Sequence, residues 1–91
     1  MPATIQVYTT GYCPYCDRAK KLLEKKGASY EEINVEGDAA KRAWLLDVTG
    51  QRTVPQVFIN GKSIGGFSDM AALDTAGRLD AMLAEDAAAS T

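Results

Sequence analysis

The chain has 91 residues, enough for one domain with a single core, and 46% of them are hydrophobic, which is typical of a folded protein. Its formal net charge of -2, with acidic and basic residues interspersed, argues against a nucleic-acid-binding protein. Two cysteines are present and histidine is absent, which excludes cysteine–histidine proteases, histidine zinc sites and histidine acid–base catalysis.

The sequence contains no segment with the character of a signal peptide or of a transmembrane helix. Residues 1–4 lack a basic region, and the apolar run 5–8 is too short for either role. We therefore expect a cytoplasmic monomer that binds neither membranes nor nucleic acids.

The first half of the chain predicts a βαβ unit with parallel strands. Residues 4–9 alternate in the manner of a strand, with β-branched and aromatic side chains. Pro14 suits the first turn of a helix that ends at Gly27, and residues 30–35 predict a second strand.

The middle of the chain predicts a second helix and an antiparallel hairpin. The helix runs from about Asp38 to Val48 and ends at Gly50, and its predicted buried stripe contains Ala40, Trp44, Leu45 and Val48. Strand 56–59 follows, and Asn60-Gly61 is a strong turn signal leading into strand 62–65.

A last helical region, capped by Ser68 or Asp69, reaches about Glu85 and is split by Gly77 into two short helices. Its inward-facing residues are predicted to be Met70, Leu73, Leu79, Met82 and Leu83.

The order β-α-β-α-β-β-α predicts an α/β protein with the thioredoxin-like fold, a four-stranded mixed sheet flanked by helices. We expect a single domain over residues 1–86 and a frayed tail over 87–91, which has no residues for a core.

Both cysteines lie in Cys13-Pro14-Tyr15-Cys16, directly after a strand and at the start of a helix. The helix N-terminus favours the Cys13 thiolate, whereas Cys16, one turn inside, is expected to be more buried. Cys13 would then attack a disulfide, and Cys16 would resolve the mixed disulfide that results. A bridge across so short a loop stabilises a fold little, so a catalytic role is favoured over a structural one.

Two other readings of the cysteines remain open. They are either small buried residues without a chemical role, or ligands of a metal shared between subunits. A closed zinc site needs four ligands, and one chain supplies two sulfurs.

The segment Thr53-Val54-Pro55 suggests a substrate-binding loop. The peptide before a proline adopts the cis form at modest cost, which would present the backbone N–H and C=O of Val54 to an extended peptide. The alternative is an ordinary proline at the start of a strand.

The segment Gly65-Gly66-Phe67-Ser68-Asp69 combines close backbone approach with a helix start. Backbone N–H groups there would suit a carboxylate and the Asp69 side chain an amine, so a zwitterionic amino-acid end would fit. The alternative is a turn with a helix cap. Arg42 and Arg52 are candidates for holding a second carboxylate, or else solvated surface arginines.

These three segments together resemble a dithiol glutaredoxin, and in particular the short bacterial members of that family. The resemblance runs from Val7-Tyr8-Thr9 and the Cys-Pro-Tyr-Cys motif, through segment 52–59, to segment 64–69, and so covers nearly the whole chain.

The resemblance implies a thioredoxin fold and glutathione-dependent thiol–disulfide exchange, with Cys13 as the nucleophile and Cys16 as the resolving cysteine. It also implies a glutathione site. By this resemblance Tyr15 flanks the glutathione, Thr53 and Val54 pair with its cysteine, Pro55 is the family's cis proline, Gly66, Ser68 and Asp69 hold the γ-glutamyl end, and Arg42 and Arg52 meet the glycine carboxylate.

Two positions depart from the family pattern. Thr10 occupies a position where many relatives carry a lysine, so the thiolate relies more on the helix terminus. Phe67 replaces a third cysteine found in many relatives, which removes a site of side oxidation and places an aromatic ring beside the groove.

We therefore predict an enzyme that reduces glutathione mixed disulfides and some protein disulfides through the Cys13/Cys16 dithiol. Glutathione is the co-substrate, no tightly bound cofactor is expected, and the partners are glutathionylated or disulfide-containing proteins, ribonucleotide reductase being one candidate.

Two alternative functions are retained. One is an iron–sulfur cluster carrier that uses Cys13 plus glutathione in a dimer, which Pro14-Tyr15 disfavours by family analogy. The other is an electron donor to ribonucleotide reductase that is itself reduced by thioredoxin reductase, which the Gly66, Ser68 and Asp69 set disfavours.

Overall fold

A computed structural model describes residues 3–84 of the chain, which form four strands and four helices. In chain order these are β1 (Ile5–Thr9), α1 (Pro14–Lys25), β2 (Glu31–Asn34), α2 (Ala39–Thr49), β3 (Gln56–Ile59), β4 (Lys62–Gly65), α3 (Phe67–Thr75) and α4 (Arg78–Ala84). The tail predicted over 87–91, the helix end predicted near Glu85 and the outer limits of the predicted domain lie outside the described residues.

The strands form one mixed sheet in the order β2-β1-β3-β4. β1 pairs with β2 in parallel and with β3 antiparallel, and β3 and β4 form the hairpin predicted around Asn60-Gly61. The prediction of a four-stranded mixed sheet flanked by helices is confirmed.

Side chains of the two central strands, β1 and β3, point alternately to opposite faces of the sheet, so a hydrophobic core forms on each face. Val7 and Val57 face α1, α3 and α4, where Leu23, Met70 and Leu79 are fully buried. Tyr8 and Phe58 face the other side, toward Val35 and Leu45. The helices of the described chain are thus distributed unevenly, with α2 alone on the second face.

The buried stripe predicted for α2 is wrong at three of its four positions. Leu45 is buried, but Ala40 is exposed and Trp44 and Val48 have 44% and 45% of their surface accessible. Because none of the other helices described between residues 3 and 84 lies on the α2 side of the sheet, the flanks of the inner face of α2 stay open to solvent. Trp44 covers Tyr8 and Phe58 with ring centroids 5.7 and 5.9 Å apart, and its outer surface is uncovered.

The last helical region is split at Gly77 as predicted, because Gly77 adopts a positive φ of 76° between α3 and α4. Its cap, however, is neither Ser68 nor Asp69. The helix begins at Phe67 with Gly66 in the N-cap position, and Asp69 lies in the first turn, where its carboxylate accepts the Gly66 N–H at 3.0 Å.

None of the helices in the described part of the chain is long and apolar enough to cross a membrane.

We predict that Leu79→Ala destabilises the fold far more than Leu83→Ala, because Leu79 is completely buried whereas Leu83 is only partly buried against the same cluster. We expect losses of about 2–5 kcal/mol and ~1 kcal/mol, respectively, in the free energy of unfolding measured with urea. Equal losses would mean that α4 is not fixed to the core through Leu79.

Candidate active site

The two loops that carry the predicted site residues meet at one edge of the sheet. The chain leaves β1 through residues 10–13 and enters β3 through residues 51–55. Because β1 and β3 are antiparallel, with Tyr8 opposite Gln56, these two loops emerge side by side. Cys13 Sγ consequently lies 3.7 Å from the carbonyl oxygen of Val54, although the two residues are 41 positions apart in the chain.

Cys13 occupies the N-cap position of α1, with an extended backbone and with Pro14 in the first turn. Its sulfur accepts a hydrogen bond from the backbone N–H of Cys16 at 3.1 Å. An N-cap sulfur that accepts such a bond, at the positive end of the helix dipole, is better stabilised as a thiolate than as a thiol. The helix start therefore supplies the electrostatic support expected of a nucleophile.

The two sulfurs differ in accessibility as the sequence predicts. Cys13 is partly exposed, whereas Cys16 is 1% exposed beneath the first turn of α1. The structure holds them as a disulfide with the Cα atoms 5.1 Å apart. A reactant from solvent therefore reaches Cys13 first, and Cys16 is placed to attack Cys13 from the protein side.

Loop 10–12, which precedes Cys13, is fixed by an acidic side chain after β2. Glu36 Oε1 accepts the backbone N–H of Gly11 at 3.1 Å, and a Cβ at Gly11 would lie 3.0 Å from the same carboxylate. Thr10, at the position where the family resemblance leads one to expect lysine, is partly exposed next to this loop.

The middle of α1 is tied to the sheet through Glu32. Its carboxylate accepts the Thr9 hydroxyl at 2.9 Å and the Lys20 ammonium at 3.1 Å. The hydrogen bond with Glu32 raises the pKa of Lys20, so this lysine is charged at neutral pH. On the opposite face burial, with a smaller contribution from the Glu31 carboxylate, raises the pKa of Tyr8 and keeps its phenol neutral.

The Val54–Pro55 peptide bond is cis, in agreement with the resemblance-based prediction. Pro55 is buried, Val54 is partly buried and Thr53 is exposed. The segment preceding β3 thus exposes backbone groups directly beside the Cys13 sulfur.

The β4–α3 turn closes the other side of a groove. Gly66 approaches the proline loop so closely that a Cβ there would lie 3.2 Å from the Pro55 carbonyl oxygen. The groove is lined by Tyr15, Gln51, Arg52, Thr53, Val54, Pro55, Gly66, Phe67, Ser68 and Asp69. Eight of these ten residues were predicted as site residues and Phe67 as a neighbour of the groove, and the structure brings these nine together with Gln51.

Arg42, by contrast, does not line this groove. It lies in an adjoining pocket on the α2 side, together with Leu45, Leu46 and Arg52. The two pockets share residues 51–54, so Arg52 borders both and Arg42 only the second. Of the two predicted basic residues, Arg52 is therefore the better placed beside Val54.

A short stack of side chains forms the outer wall of the groove. The Tyr15 and Phe67 rings have centroids 6.4 Å apart, and the Arg18 guanidinium lies 5.1 Å from the Tyr15 centroid. Tyr15 is 54% exposed, so this wall presents an aromatic surface near Cys13.

Two polar residues of the site are not indicated by the sequence pattern. Gln51 has no feature that separates it from other exposed loop residues. Gln56 opens a strand that reads as uniformly apolar, yet its side-chain amide is fully buried and bonds to loop 51–53. Its only sequence signal is a polar residue at an inward position of a buried strand.

Within the described residues, no group of three or more cysteine or carboxylate side chains is arranged to hold a metal ion.

Comparison with known proteins identifies relatives over most of the chain. The family model for glutaredoxin matches residues 5–64. Glutaredoxin 3 of Escherichia coli (strain K12) is 48% identical over 81 residues, covering 89% of this chain and 98% of that protein. A glutaredoxin of Pseudomonas aeruginosa is 47% identical over 83 residues, covering 91% of this chain and 98% of its own length.

Solved structures agree with these sequence matches. The crystal structure of the buckwheat glutaredoxin–glutathione complex superimposes with a TM-score of 0.84 at 43% identity, covering 89% of this chain and 76% of that one. The solution structure of a glutaredoxin from Brucella melitensis gives a TM-score of 0.81 at 41% identity, covering 89% and 88%.

We predict that iodoacetamide alkylates Cys13 of the reduced protein at least about tenfold faster than Cys16, because Cys13 is the accessible sulfur and the one supported as a thiolate. Mass spectrometry of peptides from briefly treated protein measures the two rates. Cys16→Ser serves as the control that keeps the fast reaction, and comparable labelling of both cysteines would contradict the assignment.

Proposed function

The chain belongs to the glutaredoxin family, and we propose that it reduces glutathione mixed disulfides and some protein disulfides, with glutathione as the electron donor. The observation that carries the proposal is the placement of one accessible sulfur, Cys13, at a helix N-terminus and 3.7 Å from the Val54 carbonyl, with Cys16 buried behind it. This arrangement suits thiol–disulfide exchange with a peptide-like substrate.

Glutathione would lie extended along residues 53–54. The backbone N–H and C=O of Val54 would pair with its cysteine residue, as in the addition of a short strand. That pairing would place the substrate sulfur beside Cys13, because the Val54 carbonyl is already within 3.7 Å of the Cys13 sulfur.

The γ-glutamyl end would reach the start of α3. The N–H groups of the first turn and the helix dipole suit its α-carboxylate, and the Asp69 carboxylate suits its ammonium group. The hydrogen bond from Gly66 N–H to Asp69 Oδ2 fixes that carboxylate at the groove. Ser68 is exposed in the same turn, where its N–H belongs to the first-turn set.

The glycine carboxylate would lie at the opposite end of the groove, where Arg52 borders it. Arg42 would act at longer range from the adjoining pocket. Because Thr10 provides no cation, we propose that Arg52 carries more of the anion binding than it would beside a lysine.

The reaction begins when the Cys13 thiolate attacks the glutathione sulfur of a mixed disulfide. A new bond joins Cys13 to glutathione, the old disulfide bond breaks, and the released thiolate of the substrate takes up a proton. A second glutathione thiolate then attacks the adduct, giving glutathione disulfide and restoring the Cys13 thiolate.

Cys16 provides a second route from the same adduct. After losing its proton it attacks the Cys13 sulfur, which forms the Cys13–Cys16 disulfide and releases reduced glutathione. Two further glutathione molecules reduce that disulfide. This route matters for protein disulfides, where the first adduct joins Cys13 to the substrate protein.

An assay with two electron sources distinguishes the proposed function from the alternatives. Activity with glutathione, glutathione reductase and NADPH supports the proposed function. Activity only with thioredoxin reductase would favour the alternative of an electron donor to ribonucleotide reductase that thioredoxin reductase reduces. An absorbance band in the visible spectrum of anaerobically purified protein would favour an iron–sulfur cluster carrier. Localisation in the cytoplasm and ribonucleotide reductase as a partner remain predictions.

We predict that Cys16→Ser keeps activity on a small glutathione mixed disulfide to within about threefold, since the direct route needs only Cys13. Cys13→Ser should lose at least about 10³-fold in kcat/KM because the nucleophile is gone. The coupled glutathione reductase assay measures both. Residual activity of Cys13→Ser comparable to wild type would refute the assignment of the nucleophile.

We predict that Arg52→Met raises KM for the glutathionylated substrate about threefold to tenfold, and that Arg42→Met raises it less, because only Arg52 borders the groove. Arg78→Met, in a pocket beside β4 and α4, is the matched control and should leave KM unchanged. The Arg52 effect should shrink at high ionic strength. A larger effect at Arg42 would relocate the glycine carboxylate to the α2 pocket.

A further inference from the structure

Gln56 is a buried polar residue directly beneath the loop that borders Cys13. It opens β3 opposite Tyr8 and is 0% exposed. Its side-chain Nε2 donates to the Thr53 carbonyl oxygen and to Gln51 Oε1, both at 2.9 Å, with Thr53 Oγ1 a longer contact at 3.3 Å. One buried amide thus binds both the first and the last residue of loop 51–53.

The direction of the Gln56 amide is fixed by its partners. The Thr53 carbonyl oxygen can only accept a hydrogen bond, so the nitrogen of the amide must face it. The other end, Gln56 Oε1, is then turned inward, where it is buried without a hydrogen-bond partner among residues 3–84. Gln56 therefore supplies hydrogen bonds to loop 51–53 through its Nε2 group while its own Oε1 forms none with the described residues.

Such an arrangement is unfavourable for folding alone, because a buried carbonyl without a partner loses its hydration. The hydrogen-bond partners of Gln56 on the loop are, in contrast, accessible to water. Gln51 and Thr53 are exposed, so they could hydrogen-bond to water without Gln56. The amide consequently orders the loop more than it stabilises the protein.

The loop has a second support at its beginning. The Thr49 hydroxyl donates to the Leu45 carbonyl and accepts the Gln51 N–H at 3.1 Å, which fixes the exit from α2. At the other end of the loop, Gln56 is the buried side chain that holds Thr53, the residue immediately before Val54.

We propose that Gln56 is a positioning residue for substrate binding: its amide holds residues 51–53 so that the backbone of Val54 is set in advance to pair with the substrate. The proposal rests on the proposed function for the identity of the substrate. It assigns Gln56 no contact with the reacting sulfurs, so the effect belongs to binding and not to the chemical step.

The test is Gln56→Met, which keeps the length and the apolar stem but removes the amide. We expect KM for the glutathionylated substrate to rise about threefold to tenfold with kcat within about twofold of wild type, since only the ordering of the loop is lost. The urea midpoint should stay at or above that of wild type, because the unpaired carbonyl is removed. Amide hydrogen exchange at Thr53 and Val54 should become faster.

Ile59→Val is the matched control on the same strand, since Ile59 is buried at the far end of β3 and packs against the α1 side of the sheet. It should lower the urea midpoint and leave KM unchanged, the reverse of the Gln56→Met pattern. Gln51→Ala removes one acceptor of the same amide from an exposed side chain. It should raise KM by a smaller factor. Because Gln51 also lines the groove, faster amide exchange at Thr53 and Val54 in this variant is the readout that decides the question if Gln56→Met does not fold.

Unchanged KM and unchanged amide exchange in Gln56→Met, or unchanged exchange in Gln51→Ala where that variant has to decide, would overturn the proposal. So would a rise in KM that merely follows lost stability and appears equally in Ile59→Val. A wild-type protein without glutathione-dependent activity would instead refute the proposed function. In that case faster exchange at Thr53 and Val54 alone would support the positioning role, and unchanged exchange would overturn it.

Discussion

The antiparallel pairing of β1 with β3 is the constraint on which the site depends. It places the end of β1 and the beginning of β3 at the same edge of the sheet, with Tyr8 opposite Gln56. The loops that continue from these ends carry Cys13 and Val54, which have no local reason to meet. Their 3.7 Å contact is therefore a product of strand register, and a slip of that register would separate the Cys13 sulfur from the Val54 backbone.

The start of α1 makes the two cysteine sulfurs chemically different. The same helix turn that exposes Cys13 at its N-cap buries Cys16, and it directs the Cys16 N–H toward the Cys13 sulfur. Support for the thiolate thus comes from backbone groups that the helix cannot bond internally. This source does not depend on a neighbouring lysine, so a threonine at position 10 is compatible with a reactive Cys13.

Local patterns were sufficient to predict the strands, the hairpin at Asn60-Gly61, the break at Gly77 and the position of the cysteines on a helix start. Each of these follows from a few adjacent residues. The exposure of Trp44 does not, because it depends on α2 being the one helix of the described chain on that face of the sheet. The cap of α3 was also placed wrongly, since the role of Asp69 depends on the backbone of Gly66.

Some residues of the site could likewise be recognised from adjacent residues in the sequence, and others only from their contacts in the fold. Segments 53–55 and 66–69 could be singled out from the sequence because glycine, proline and an acidic side chain each direct the backbone locally, and the family resemblance favoured binding over an ordinary turn. The structure brings the two segments to one groove. Gln56 could not, because its importance comes from what lies above it in the fold. A polar amide in an otherwise apolar strand is a local inconsistency, and such inconsistencies are expected where a fold serves a site.

Gln56 lies at the boundary between the part of the molecule that maintains the fold and the part that binds. On one side of it Val57, Phe58 and Ile59 are buried in the two cores, and on the other side residues 51–54 line the groove. An apolar residue at position 56 would complete the core but leave the loop to solvent. The amide instead fixes the loop to β3 through Thr53, and its oxygen is left without a partner among residues 3–84 as a result.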